Sequence, residues 1–249
     1  MKGLKAVIVG GTSGIGLEIA RQLDQQGCKV IITGRDELKL KKKVQELGDG
    51  VLGMCGDIAQ EKDRARLTEQ VRFNCDGTLD FLVVSAARYE TKPLLDETDE
   101  SVLEMFQTNV ISGVFFARQF HELLKAGKGK SILFLSSTLS TKPVFGTSAY
   151  SASKAALDSF VSSMALEWAP DHIRVNSIQP GVVDTPIHDQ RLENEPTRQE
   201  KMVQFADFHP LGRVGEVTDV ARAALFLLDP NSSWITGIKM PIDGGISLV

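Results

Sequence analysis

Short apolar runs recur along the chain, each bounded by Gly, Pro, Asn, Asp or Ser, and longer stretches with apolar residues at helical spacing lie between them. The runs at 4–9, 29–33, 51–55, 79–84, 132–135, 173–178 and 238–242 predict strands. Helices are predicted from Leu17, Ile19, Ala20 and Leu23, and over 37–47, 60–73, 99–124, 148–168 and 216–228. Val102, Phe106, Val110, Val114 and Phe115 mark the inner side of the long helix 99–124. This alternation continues from end to end without repeat, linker or compositional break. It predicts a single α/β domain over 1–249: a doubly wound parallel sheet of about seven strands with helices on both faces. Residues 186–210 are polar, charged and without strong periodicity, so the stretch around 184–210 is read as a lid that shapes a substrate pocket.

The first strand runs straight into Gly10-Gly11-Thr12-Ser13-Gly14-Ile15-Gly16, and a helix comes next. Strand, glycine turn and helix are the context of a dinucleotide fingerprint. Missing side chains let the backbone approach phosphates, and a helix N-terminus offers N–H donors and a positive dipole end. The spacing is G-x-x-x-G-x-G rather than G-x-G-x-x-G. At the tip of the second strand stand Gly34 and Arg35. An acid there would bond the ribose 2′-hydroxyl of NAD, whereas an arginine can hold the 2′-phosphate of NADP. Arg35 therefore points to NADP (NADPH), with NAD as the alternative. Asp36 is read as the N-cap of helix 37–47, and Lys39, Lys41, Lys42 and Lys43 as its solvated face.

A second informative stretch covers 135–157. Its strand ends in Ser136 and Ser137, and a helix begins near Ser148 after a loop punctuated by Pro143 and Gly146. Tyr150 and Lys154, four apart, share one helix face, so the ammonium can lie beside the phenol. A nearby cation favours phenolate and pulls the tyrosine pKa toward working pH, as a general acid or base requires. Solvated helices carry such pairs too. The chain has only two tyrosines, however, and twelve residues intervene between Ser137 and Tyr150.

This Ser137, Tyr150-x-x-x-Lys154 pattern, with the glycine turn, resembles the short-chain dehydrogenase/reductase family, and the resemblance covers essentially the whole chain. It implies a Rossmann-like fold and a catalytic set of Asn109, Ser137, Tyr150 and Lys154. Ser137 and Tyr150 would hold the substrate oxygen, Tyr150 would pass the proton, and Lys154 would bind the nicotinamide ribose and reach Asn109 through a water. Read without the resemblance, Asn109 is a buried mid-helix amide satisfied by neighbouring backbone. The resemblance further implies cofactor contacts from Gly10, Thr12, Ser13, Gly14, Ile15, Gly16, Arg35, Asp57, Ile58, Ala86, Val183 and Thr185, besides Tyr150 and Lys154. Asp57 would face the adenine amino group; the residues alone allow it to cap helix 60–73 instead. Val183 and Thr185, in the Pro180-Gly181-x-x-x-Thr185 stretch, would meet the nicotinamide end.

Three departures from the family pattern stand out. Gly34 occupies the place of an NAD-selecting aspartate, Ser13 that of a common NADP-marking basic residue, and Val84-Ser85-Ala86-Ala87 that of Asn-Asn-Ala-Gly. The implied activity is NADP-preferring interconversion of a carbonyl and a secondary alcohol. Its rivals are a catalytically silent NAD(P)-binding regulatory or scaffold protein, and a family member performing epimerisation or dehydration. The family often forms tetramers through its two long helices and C-terminus, so a homo-oligomer, tetramer or dimer, is expected.

Composition adds exclusions. A net charge of −4 gives no electrostatic reason to expect nucleic acid or an anionic membrane as partner. Cys28, Cys55 and Cys75 lie far apart and read as structural thiols in a reducing compartment. His121, His172, His188 and His209 lack metal-site spacing, so no metal is expected. No apolar stretch approaches the roughly 18 residues of a membrane span, and the apolar run 6–9 is too short for a signal peptide. A cytoplasmic enzyme acting on a small molecule is the expectation.

Overall fold

The computed structural model describes residues 1–189 and 197–249. Seven strands form one sheet: β1 (Lys5–Val9), β2 (Lys29–Gly34), β3 (Val51–Cys55), β4 (Phe81–Val84), β5 (Ser131–Leu135), β6 (Arg174–Pro180) and β7 (Lys239–Ile242). Every pairing is parallel and the order is β3-β2-β1-β4-β5-β6-β7, which bears out the predicted doubly wound sheet. The inner strands read as continuous apolar runs because both faces are covered. Alternate residues of β1 show this: Val7 and Val9 enter one buried cluster, Ala6 and Ile8 the other. The chain leaves β1 toward β2 on one side and later returns to β4 on the other. That reversal opens a crevice at the carboxyl ends of the strands, where ligands of such sheets bind.

The helices are α1 (Gly14–Gln25), α2 (Glu37–Leu47), α3 (Glu61–Asn74), α4 (Asp99–Phe106), α5 (Ser112–Gln119), α6 (His121–Ala126), α7 (Ser148–Trp168), α8 (Arg198–Ala206) and α9 (Val217–Leu228). Ile19, Ala20 and Leu23 of α1 share a core cluster with Val220, Ala221, Ala224 and Leu225 of α9. Buried Arg174 donates to the carbonyls of Leu227, Leu228, Asp229 and Ile235, so the end of α9 and the loop after it are tied to β6.

Two predicted elements come out differently. The single helix expected over 99–124 is broken: a π-turn, Gln107–Ile111, separates α4 from α5, and Phe120 separates α5 from α6. Both the backbone N–H and the hydroxyl of Ser112 reach the Gln107 carbonyl, and the Asn109 side chain bonds outside the helix. The stretch read as a lid without strong periodicity, 186–210, contains among its described residues a short 3-10 turn at Pro186–His188 and helix α8. Thr197 and Glu200 form a capping box at the start of α8, a sequence signal that starts a helix even where apolar periodicity is weak. Residues 190–196 of the expected lid lie outside the described residues. Among the described residues no helix is long and apolar enough to cross a membrane.

Candidate active site

A cleft of about 1150 Å³ runs across the carboxyl ends of the strands, from the tips of β2 and β3 past β1 and β4 to β5 and the segment after β6. Its floor is the glycine turn, whose conformation depends on the absence of side chains. Gly10 has φ +79°, and a Cβ there would lie 2.7 Å from the Ala86 backbone nitrogen. A Cβ on Gly16 would lie 2.5 Å from the Gly10 carbonyl oxygen. Ser13, in extended conformation, is the N-cap of α1 and makes no side-chain capping bond, so it leaves that group of N–H donors open to the cleft. This is a cradle for a pyrophosphate: backbone donors at a helix N-terminus with nothing between them and a ligand. Thr12, Ser13, Gly14 and Ile15 line it, and Thr185 packs on Gly14 from across the cleft.

At the β2 end, a Cβ on Gly34 would come 2.6 Å from the Thr12 methyl, so Thr12 leaves little room there for an aspartate or any other side chain. Arg35 and Lys39 line the cleft, and neither side chain has a polar partner among the described residues. Asp36 caps α2, as the sequence indicates, accepting from the Lys39 N–H at 2.9 Å. Asp57 does not cap α3: the N-cap is Gln60, without a side-chain bond. Instead Asp57 closes an Asx turn, its carboxylate accepting from the Ala59 N–H at 3.0 Å. The turn is braced by Arg64, which donates to the Ile58 carbonyl at 2.6 Å. Asp57 and Ile58 both line the cleft.

The substituted segment after β4 remains seated. The Ser85 N–H donates to Val9 at 2.9 Å, extending the ladder with β1, and Ala86 lines the cleft. Asn109 holds the next residues of this loop. Its Oδ1 accepts from the Arg88 N–H at 2.7 Å, and its Nδ2 donates to the Arg88 carbonyl at 2.9 Å and to Ser153 Oγ of α7 at 3.0 Å. Nδ2 also lies 3.1 Å from Met105 Sδ, so the side-chain amide is satisfied by backbone and neighbouring side chains. Its geometry positions the β4 loop against the α7 helix.

Ser137, Tyr150 and Lys154 converge at the far end. Ser137 opens a 3-10 turn, Thr138–Ser140, its hydroxyl accepting from the Leu139 N–H at 3.2 Å, and it lines the same end of the cleft as Tyr150. Lys154 is buried; its Nζ donates to the Leu135 carbonyl at 2.7 Å and stands 5.7 Å from the Tyr150 ring centroid. The surroundings of Tyr150 run against the expected lowering of the tyrosine pKa. Burial raises the phenol above its ordinary value, the nearby Ser137 hydroxyl opposing and Tyr89 adding to the rise. Burial likewise pushes Lys154 down to about 8, with Asp158 acting the other way. Desolvation is the largest influence on both groups.

Val183 forms a parallel bridge with Gly215, made by Val182 and Asp184, so its own N–H and carbonyl point away from that bridge. With Thr185 it lines the cleft. The sequence reading missed an aromatic wall beside Tyr150. Tyr89 packs edge-on against it at 4.8 Å between centroids, His188 against Tyr89 at 5.8 Å, and Phe205 beyond His188 at 6.4 Å. These residues come from the β4 loop, the segment after β6 and α8. Burial lowers the His188 pKa, which favours the neutral ring.

Known proteins are similar to this chain over nearly its whole length. Residues 9–247 match the family described as enoyl-(acyl carrier protein) reductase. A tropinone reductase homolog of Arabidopsis thaliana is 34% identical over 249 residues, covering 99% of this chain and 90% of that protein. Senescence-associated protein 13 of the same plant is 32% identical, covering 99% and 91%. Among solved structures, a short chain dehydrogenase/reductase family protein superposes with a TM-score of 0.88 at 32% identity, covering 100% of this chain and 99% of the other. A 3-ketoacyl-(acyl-carrier-protein) reductase from Brucella melitensis, complexed with NADH, gives 0.89 at 29%, covering 99% of each. Glycine cradle, parallel sheet and full-length similarity agree, and the chain belongs to the short-chain dehydrogenase/reductase family of oxidoreductases.

Proposed function

We propose that this protein interconverts a carbonyl and a secondary alcohol using NADP(H), with Tyr150 as general acid and base. The observation that carries the reading is the meeting of Ser137, Tyr150 and Lys154 at one end of a cleft whose other end offers Arg35 and Lys39 beside side-chain-free Gly34. The glycine cradle, the α1 N-terminus and the Val183 main chain fit a dinucleotide. When bound, the nicotinamide supplies or accepts the hydride. Ser137 and Tyr150 hold the substrate oxygen, and Tyr150 gives its proton in reduction or takes one in oxidation. A phenol kept protonated by burial suits the reducing direction, and Lys154 binds the nicotinamide ribose. Asn109 keeps the β4 loop in place behind the cofactor. Two cations at the β2 tip favour a 2′-phosphate over a bare hydroxyl, so NADPH is the preferred cofactor and NADH the weaker one.

The aromatic wall of Tyr89, His188 and Phe205 suits a carbonyl compound with an apolar body, and Pro186, Ile187 and Phe208 from the described parts of the expected lid line the same end of the cleft. Tropinone reductase homologs and a 3-ketoacyl reductase among the relatives carry ketones in their names, which supports a carbonyl substrate. Leu103, Phe115, Phe160 and Leu166, exposed on α4, α5 and α7, favour a homo-oligomer. The protein is read as one cytoplasmic domain.

Incubation with NADPH and a panel of ketones and aldehydes, following nicotinamide absorbance, tests the reading. Turnover is expected for wild type, with a fall of about 10²–10⁴-fold in Tyr150→Phe while NADPH binding persists. Tight NADPH binding without turnover across the panel would favour a regulatory protein. Wild-type turnover in Tyr150→Phe would remove the role assigned to that phenol.

A further inference from the structure

A second set of buried polar groups lies along the catalytic helix. Asp158 stands one turn beyond Lys154 on α7, on the same face, and only 5% of it is exposed. Its carboxylate is held by neutral donors, Ser177 Oγ at 2.9 Å and Gln179 Nε2 at 2.8 Å, both from β6. Gln179 Nε2 also donates to Ser140 Oγ at 2.8 Å. Ser140 closes the 3-10 turn that Ser137 opens, its N–H donating to the Ser137 carbonyl at 3.0 Å. A carboxylate out of water needs both hydrogen bonds and a balancing charge. Serine and glutamine supply the first only. Lys154, equally buried, has the converse need, since its hydrogen bond goes to the neutral Leu135 carbonyl.

We propose that Asp158 is a positioning residue of this site: its carboxylate is the counter-charge that keeps the buried Lys154 ammonium, and through Gln179 it fixes the turn carrying Ser137. The proposal rests on the functional reading above and adds a group to it. Among the described residues, Asp158 is the one charged group bearing on Lys154, and it acts against the effect of burial. The other titratable groups in the surroundings are Tyr150 on α7 and Tyr89 from the β4 loop. The ends of β5 and β6 and the π-turn face this part of α7 with hydroxyls and amides: Ser136, Ser137, Ser177, Gln179 and Asn109.

Two variants separate charge from support. Protein labelled with 13C at lysine Cε, with the Lys154 signal assigned by its loss in Lys154→Met, is titrated by NMR without cofactor. The wild-type midpoint is expected near 8. In Asp158→Asn it is expected to move down by about one pH unit. Gln179→Met keeps the charge, so the midpoint stays, while a displaced Ser137 lowers kcat by about tenfold or more. An unchanged Lys154 midpoint in Asp158→Asn, or wild-type kcat in Gln179→Met, overturns the proposal. Should Asp158→Asn fail to fold, the same Lys154 titration on Asp158→Ser takes its place, with the same downward shift expected. The titration needs no turnover, so a protein that reduces no carbonyl refutes the functional reading and leaves the charge pairing measurable.

Discussion

The two ends of the cleft are built from different material. At the β1–β2 end the surface is largely main chain: a glycine turn, a helix N-terminus and strand tips whose neighbours leave no room for side chains, as at Gly10, Gly16 and Gly34. Beside Tyr150 it is made of side chains delivered by separate segments, with Tyr89, His188 and Phe205 in edge or tilted contact. The first kind of surface recognises what dinucleotides have in common, and tolerates little change. The second recognises shape and can be rebuilt one side chain at a time, as in folds that host many substrates on one scaffold.

The sharpest way to break this contrast is Gly10→Val. A side chain at φ +79°, its Cβ 2.7 Å from the Ala86 nitrogen, brings about 1–3 kcal/mol of strain and displaces the turn. Loss of NADPH binding and a lower thermal midpoint are expected; intact binding by fluorescence titration would show that the turn is not the cradle. Arg35→Asp comes next. Losing a charge-assisted contact of about 1.5–3 kcal/mol should weaken NADPH by roughly ten- to a hundredfold and NADH far less. An unchanged ratio of the two dissociation constants would remove the case for a 2′-phosphate site. Tyr89→Ala has the smallest effect. An edge-on aromatic pair is worth about 0.5–1.5 kcal/mol, so kcat/KM for bulky aromatic ketones should fall several-fold relative to small ones, with NADPH affinity unmoved. A parallel loss for every substrate would show that Tyr89 merely supports Tyr150.

Legibility in the sequence divides along the same line. The glycine turn, the Asp36 cap and the Tyr150/Lys154 pair are local: their geometry comes from spacing within one strand, turn or helix. Tyr89 carries no such signal, because its meaning depends on His188 and Phe205 about a hundred residues away, brought near by the sheet's crossovers. The tyrosine pKa departs from what helical spacing implies for a related reason. Helical spacing places an ammonium near a phenol, but the extent to which both are withdrawn from water is decided by the packing around them. Asp57 was ambiguous because an acid before a helix can cap it or close an Asx turn, and only the backbone path chooses. The break within 99–124 leaves no mark in the sequence because its apolar pattern continues through the π-turn, whereas the partner that Asn109 reaches, Arg88, lies outside the helix.

That π-turn makes the segment sensitive to length more than to composition. A helix advances about 100° per residue, and the π-turn takes up one extra residue within a turn, so deleting one position within Gln107–Ile111 would leave an unbroken helix with its flanks still facing as they do. What would be lost is the bulge that presents Asn109 to Arg88 and Ser153, while Val114 and Phe116 keep their place in the core. The chain thus carries one surplus residue there, spent on a side chain that serves the crevice while the rod on either side keeps its hold on the interior.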